Sequence, residues 1–322
     1  MKILVTGGAG YIGSHAVKEL VKEHEVIVYD NLELGNKEFV DEKAIFIQGD
    51  LSDTKKLNEL FEEHKIEIVM HFANYALVGE SFENPSKYFE NNLVNGFNLL
   101  DVMIKNNVNK IIFSSSCAVY GIPKEIPIIE KHTLNPINSY GESKMVFERV
   151  LRYYDTAYNL KSISLRYFNV AGASLDNSIG EKHKDETHLI PIVLDVALNK
   201  RDNIKIFGED YDTKDGTCIR DFVHVVDIAK AHLDALNYLG KNMQTKSYNI
   251  GTGQGYSVKE VIDLCRQITK KEINVVIDKK REGDPPMLVA DPKRFKEEVG
   301  WKEQFNINEM IEHAWNWHQK IN

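Results

Sequence analysis

Cysteine, an excess of basic charge and long apolar runs are all scarce in this 322-residue chain. Only Cys117, Cys218 and Cys265 occur, widely spaced and odd in number, so there is no disulfide framework and no paired-cysteine zinc motif; a reducing cytoplasm is expected. Lysine and arginine number 40 against 48 aspartates and glutamates, a net charge of −8. With no dense basic run, an electrostatic footprint for nucleic acid is excluded. An anionic small molecule is not, because local arginines and backbone N–H groups bind phosphate within acidic proteins. Near the amino terminus the only apolar run is Ile3–Gly7, too short for a signal peptide or a spanning helix. A soluble protein with no membrane contact is the expectation.

What is present is an ordinary globular composition, 43% apolar and 27% charged, in a chain long enough for two domains. No repeat or low-complexity tract interrupts it. The first half alternates short β-rich runs with helical patterns: "KILVT" (2–6), "EVIVYD" (25–30), "AIFIQGD" (44–50), "IEIVMHFA" (66–73), "KIIFSSS" (110–116) and "KSISLRYFN" (161–169). Runs so apolar throughout predict strands of a parallel sheet covered by helices on both faces. One long helix is expected over about 85–107 and another after Tyr140. Beyond Asn169 the rhythm breaks. The working division is 1–170 and 171–322, with the stretch about 219–250 expected to return to the main sheet.

"TGGAGYIG" sets Gly7, Gly10 and Gly13 between a strand and a helix. The first permits a tight turn, the second lets backbone approach a pyrophosphate, and the third lets helix pack on strand. Asp30 ends the next strand, 17 residues beyond Gly13 and with no arginine after it, where a carboxylate accepts from an adenosine ribose and repels a 2′-phosphate. Together these predict an α/β, Rossmann-type doubly wound parallel sheet that binds NAD rather than NADP, with a smaller mixed α/β substrate-binding region. Asp50, ending the third strand, either reaches the adenine edge or is simply solvated.

"NSYGESK" places Tyr140 and Lys144 four residues apart at the start of a helix, on one face. Alone, that spacing favours a packed ring and a solvated lysine. Beside a fixed ammonium, though, a phenol loses its proton more readily, and Ser116 closes a strand at the sheet's carboxyl edge, where ligands of such sheets bind. A base, a lysine that lowers its pKa and a serine hydroxyl on the substrate oxygen form a set suited to removing a hydroxyl proton as hydride leaves the same carbon.

These motifs resemble the extended short-chain dehydrogenase/reductase family. "LRYFNVAGA", "IFGEDYDTKDGTCIRDFVHVVD", "YNIGTG" and "REGD" resemble its nucleotide-sugar 4-epimerases in particular, over nearly the whole chain. The resemblance implies reversible C4 epimerisation of UDP-galactose and UDP-glucose through a transient 4-keto sugar and bound NAD. It implies Ser116, Tyr140 and Lys144 as the catalytic set. Around the cofactor it implies Gly7, Gly10, Tyr11, Ile12, Gly13, Asp30, Asn31, Asp50, Leu51, Phe72, Ala73, Asn92, Tyr167 and Phe168, together with Tyr140 and Lys144. It also implies a homodimer paired through the helices near 85–107 and 140–158, stripes that could equally be ordinary core.

On the substrate side, Arg220 and Arg281 offer planar forks for two phosphates. Asn169 suits phosphate or sugar, Phe207 suits stacking on uracil, and Asp284 suits a ribose hydroxyl. Each also has a plain structural reading as a local ion pair, a core ring or a loop cap. His188 and Leu189, in "ETHLIP", fall where relatives bind substrate. His183, His188 and His224 lack metal-ligand spacing, so no metal is expected. Ala76 departs from the lysine or serine of some relatives, so that one cofactor contact is missing or is supplied elsewhere. Leu288 matches the position that limits room beside the sugar C2 substituent, leaving acceptance of N-acetylhexosamines open. A 4,6-dehydratase needs carboxylates after the serine, and Cys117, Ala118 and Val119 offer none. Uronate epimerisation and a silent NAD-binding protein remain as alternatives.

Overall fold

The computed structural model describes residues 1–281 and 283–321; Glu282, within "REGD", and Asn322 lie outside the described residues. From the amino terminus, β1 (Lys2–Thr6) runs into α1 (Tyr11–Leu20), followed by β2 (Glu25–Asp30), β3 (Ile45–Gln48), α2 (Thr54–His64) and β4 (Ile68–His71). Next come α3 (Val78–Glu83), α4 (Pro85–Phe89), a π-helical turn (Glu90–Val94) and α5 (Asn95–Lys105), then β5 (Lys110–Ser116), α6 (Ser139–Tyr158) and β6 (Lys161–Tyr167). The rest comprises β7 (Asn169–Ala171), α7 (Leu189–Ala197), β8 (Ile204–Phe207), β9 (Ile219–His224), α8 (Val225–Asn242), β10 (Lys246–Ile250), β11 (Gly255–Ser257), α9 (Val258–Thr269), β12 (Val275–Asp278), β13 (Met287–Leu288), α10 (Lys293–Val299) and α11 (Ile307–Lys320).

Seven strands form one parallel sheet in the order β3-β2-β1-β4-β5-β6-β10. Its unbroken apolar runs follow from burial on both faces. Ile3, Val5, Val26 and Val28 pack with Val17 of α1 and Ala231 and Leu239 of α8. The alternate residues Leu4, Ile27 and Val69 pack with Leu57, Leu100 and Phe147 of α2, α5 and α6. The strand order reverses between β1 and β4, opening the crevice in which such sheets bind ligands.

The long helix expected over 85–107 is divided. At its centre, buried Asn92 turns inward, accepting from the Tyr75 N–H at 2.9 Å and donating to the Tyr75 carbonyl at 3.0 Å and to Ser143 Oγ at 3.0 Å. The π-helical turn that carries Asn92 separates α4 from α5, and such turns recur at functional sites.

The stretch 219–250 also splits. α8 packs on the large sheet and β10 pairs with β6 at its edge, but β9 does not join it. Instead β9 is the hub of a four-stranded sheet, parallel to β7 and β13 and antiparallel to β11. Asp221 holds this arrangement. Its buried carboxylate accepts from the Thr252 N–H at 2.9 Å, Thr252 Oγ1 at 2.7 Å, the Gly253 N–H at 3.0 Å and the Ala290 N–H at 3.2 Å. β8 and β12 form a separate parallel pair.

Candidate active site

The glycine turn is shaped by close approach. Gly7 has φ +73°, and a Cβ there would lie 2.5 Å from the Ala73 backbone nitrogen. A Cβ on Gly13 would lie 2.2 Å from the Gly7 carbonyl oxygen, whereas at Gly10 the nearest atom is that same oxygen at 3.3 Å. Gly10 therefore faces an open groove and also stands at the N-cap of α1, which has no side-chain cap and no acid in its first turn. The N–H groups of Tyr11, Ile12 and Gly13 are left for an anion. The side chain of Ile12 packs into the core, and the Tyr11 hydroxyl donates to the Gly172 carbonyl at 2.7 Å.

The groove walls pair Asp30 with Asn31, Asp50 with Leu51, and Phe72 with Ala73. Asp30 is held by the N–H groups of Ala9 at 3.0 Å and Leu32 at 2.8 Å, while burial raises its pKa. Burial acts on Asp50 in the same direction, but hydrogen bonds from Ser52 and from Asn31 Nδ2, the latter at 2.7 Å, outweigh it and lower its pKa. A crevice with a glycine floor, amide donors at its centre and two carboxylates at one end fits a dinucleotide.

At the carboxyl end of β5 the Ser116 hydroxyl accepts from the Ala118 N–H at 3.1 Å, and as a neighbour of the Tyr140 phenol it favours that group's ionised form. Lys144 is almost wholly buried; its Nζ lies 5.7 Å from the Tyr140 ring centre and donates to the Ser114 carbonyl at 2.6 Å. The lowering of the phenol pKa expected from Lys144 is overridden by burial. Burial pushes Tyr140 up to about 12, against the Ser116 hydrogen bond, and pushes Lys144 down to about 7. In so dry a place the ammonium loses its charge more easily than it stabilises a phenolate.

Beneath these groups is a support that residue spacing did not disclose. Ser115 Oγ donates to Glu148 at 2.6 Å, and Glu148 is gripped by Arg166 through Nε at 2.9 Å and Nη2 at 2.5 Å. The hydroxyls of Ser114 and Tyr167 also bond to one another. Ser114 could have been found in "SSS", because residues two apart on a strand share a face with Ser116.

The substrate candidates gather only in part. In the register of β13 on β9, Leu288 lies beside Arg220, and Leu288 packs on a cluster containing Phe168, Cys117 and Met145. Arg220 forms an ion pair with Asp284, so the expected phosphate and ribose contacts engage each other. The guanidinium of Arg281 lies over the Phe207 ring, 3.7 Å from its centre, on a face expected to receive uracil. Asn169 pairs with Phe222 across β7 and β9, and Leu189 opens α7 after His188, whose side chain does not cap the helix.

His188 and His183 do not stand apart as their spacing implied. Both ring Nδ1 atoms meet the carboxylates of Glu181 and Glu186, and burial of His188 is outweighed by those carboxylates, which hold its pKa well above the usual value. His224 is elsewhere, bonded to His313 at 3.0 Å.

Residues 3–251 match the NAD dependent epimerase/dehydratase family. The chain belongs to it. A relative from Lactobacillus helveticus, a UDP-glucose 4-epimerase, is 48% identical over 321 residues, covering 99% of this chain and 97% of the relative. Among solved structures, UDP-glucose 4-epimerase from Bifidobacterium longum in complex with NAD+ and UDP is 38% identical with a TM-score of 0.95, over 99% of this chain and 98% of that one. The UDP-Glc/GlcNAc 4-epimerase of Campylobacter jejuni is 42% identical with a TM-score of 0.87, over 99% of each chain. Family membership makes NAD the cofactor. It also accounts for the conjunction of a dinucleotide groove with a serine, tyrosine and lysine set at its end.

Proposed function

We propose that the chain interconverts UDP-galactose and UDP-glucose at C4, in an NAD-dependent epimerisation through a transient 4-keto sugar. The observation that carries this reading is the Tyr140 phenol beside the Ser116 hydroxyl at the carboxyl edge of the large sheet, in a chain similar end to end to UDP-glucose 4-epimerases. NAD supplies a hydride acceptor and donor, and a positively charged ring when oxidised. Tyr140 removes the C4 hydroxyl proton and later returns it, and Ser116 orients that oxygen. Lys144 holds the cofactor ribose, and Tyr167 and Phe168 line the reacting end. Arg220 and Arg281 take the diphosphate, with Arg220 leaving Asp284 free for the uridine ribose and Arg281 leaving Phe207 free for the base. The N-cap of α7, with His188 and Leu189, faces the same diphosphate.

Leu288 supports a second substrate class, the UDP-N-acetylhexosamines, since leucine occupies less room than tyrosine beside C2. Three buried free cysteines support a reducing cytoplasm. Exposed Phe89, Val94, Tyr153 and Tyr158, on the end of α4, the π-helical turn and α6, support a homodimer with that face covered by a second copy. Among the described residues no helix is long and apolar enough to cross a membrane.

The deciding experiment incubates purified chain with UDP-galactose, without added cofactor, and follows UDP-glucose by NMR. Conversion is expected. Its absence after NAD is supplied would send the assignment to the N-acetylated and uronate sugars.

A further inference from the structure

The dinucleotide groove is bridged at its rim by two residues that the epimerisation chemistry does not use. Its sides include the loops at the carboxyl ends of β2 and β4, which flank the point where the strand order reverses. At the floor, Gly7 closes on the β4 loop, since a Cβ there would lie 2.5 Å from the Ala73 nitrogen. At the rim, half-buried Tyr75 of the β4 loop donates its hydroxyl to exposed Glu33 of the β2 loop, with Oε2 at 2.5 Å. Both residues line the groove.

Each partner is held in place by its own side of the groove. The Tyr75 backbone is fixed at both its N–H and its carbonyl by Asn92, at 2.9 and 3.0 Å. Lys87 Nζ lies over the Tyr75 ring, 4.2 Å from its centre, and is itself paired with Glu80 at 2.7 Å. The Tyr88 ring stands 5.8 Å away. Opposite, the Glu33 N–H donates to Asn31 Oδ1 at 2.9 Å, and the Asn36 N–H returns the loop to the glycine turn through the Ala9 carbonyl at 2.9 Å. Groups placed in advance give up little conformational freedom when they bond, and a phenol on a carboxylate is among the stronger hydrogen bonds.

Charge does not account for Glu33. Asp30 and Asp50 already line the same groove, and a dinucleotide brings two phosphates, so a third carboxylate only adds repulsion. What Glu33 supplies is an acceptor for Tyr75. Burial first, and Glu33 second, raise the Tyr75 pKa, so the phenol stays a donor. We propose that Tyr75 and Glu33 close the groove over bound NAD as a clasp, and that breaking their hydrogen bond limits how fast the cofactor leaves. In the epimerisation proposed above, NAD is regenerated within each turnover, so slow release does not slow the reaction. The clasp rests on the groove holding NAD and not on which sugar reacts.

The test loads full-length chain with NAD, removes free nucleotide, and follows by native mass spectrometry the NAD left on the protein. Tyr75→Phe and Glu33→Ala should each speed release about ten- to a hundredfold, the factor carried by one hydrogen bond to a charged group. The double variant should be no faster than either single one, because both remove the same bond. Glu33→Gln, which keeps an acceptor, should fall between wild type and Glu33→Ala. A purely electrostatic role for Glu33 has the opposite sign, and Glu33→Ala would then hold NAD longer. Unchanged release in Tyr75→Phe, slower release in Glu33→Ala, or additive effects in the double variant would each overturn the proposal. If Glu33→Ala folds poorly, Tyr75→Phe decides alone, since it keeps the ring and its packing. Wild type that takes up no NAD would sink the cofactor groove and the clasp together, whereas failed conversion of UDP-galactose overturns the sugar assignment alone.

Discussion

Arg166 and Glu148 meet in a two-pronged ion pair with both side chains 1% exposed, joining β6 to α6 directly below the reacting hydroxyls. Glu148 stands one helical turn beyond Lys144 and also accepts from Ser115 and, at 3.1 Å, from Ser247. Burial raises the carboxyl pKa and Arg166 more than reverses it, so the pair is charged. Removing one partner strands the other in a dry interior. Glu148→Ala should cost about 3–5 kcal/mol, read by urea denaturation; a loss below 1 kcal/mol would mean that water reaches Arg166.

Tyr140→Phe removes the proposed base and little else, because the ring packing survives. It should bind NAD and UDP-sugar normally while turnover falls about 10²–10⁴-fold. Near-normal turnover by the NMR assay would remove Tyr140 from the mechanism.

Lys144 gives the fold a pH dependence of definite sign. Folded, it releases its proton above about 7; unfolded, it keeps it to about 10.4. Between those values the unfolded chain binds more protons, so this group makes stability rise with pH, by at most about 1.4 kcal/mol per pH unit. Lys144→Met should flatten that rise and be relatively more stable at pH 7 than at pH 9. Parallel denaturation curves at the two pH values would show that Lys144 stays charged in the fold.

Leu288 sits beside Arg220 in the strand register, packed on Phe168 and Met145. Leu288→Tyr should lower kcat/KM for UDP-N-acetylglucosamine relative to UDP-glucose at least tenfold. An unchanged ratio would refute the gate.

Phe207 carries the guanidinium of Arg281 on its face. If uracil takes that ring, Phe207→Ala loses about 1–3 kcal/mol of stacking, a KM rise of roughly 5- to 150-fold with kcat nearly kept. A loss confined to kcat would instead assign the ring to loop packing.

The strands of the large sheet were legible because each is buried on both faces, and their residues must be apolar without interruption. Three glycines and Asp30 were legible because a dinucleotide turn constrains residues close together in sequence. The long helix over 85–107 was misread because its periodicity is intact through the π-helical turn; only the inward pull of Tyr75 and Ser143 on Asn92 inserts the extra residue. β9 was misread because a short strand does not name its neighbours, and those of β9 are β7, β11 and β13.

The sequence by itself determined the local matters: the doubly wound sheet, the glycine turn, and a tyrosine and lysine on one helical face. It did so because strand and helix periods and turn sterics act over a few residues. Tertiary structure alone decided the downward push of burial on the Lys144 pKa, the pairing of Arg220 with Asp284, the clasp of Glu148 on Arg166, and the meeting of two glutamates with two histidines before α7. These depend on dielectric surroundings and on partners brought together by packing, and neither is encoded in the spacing of any short segment.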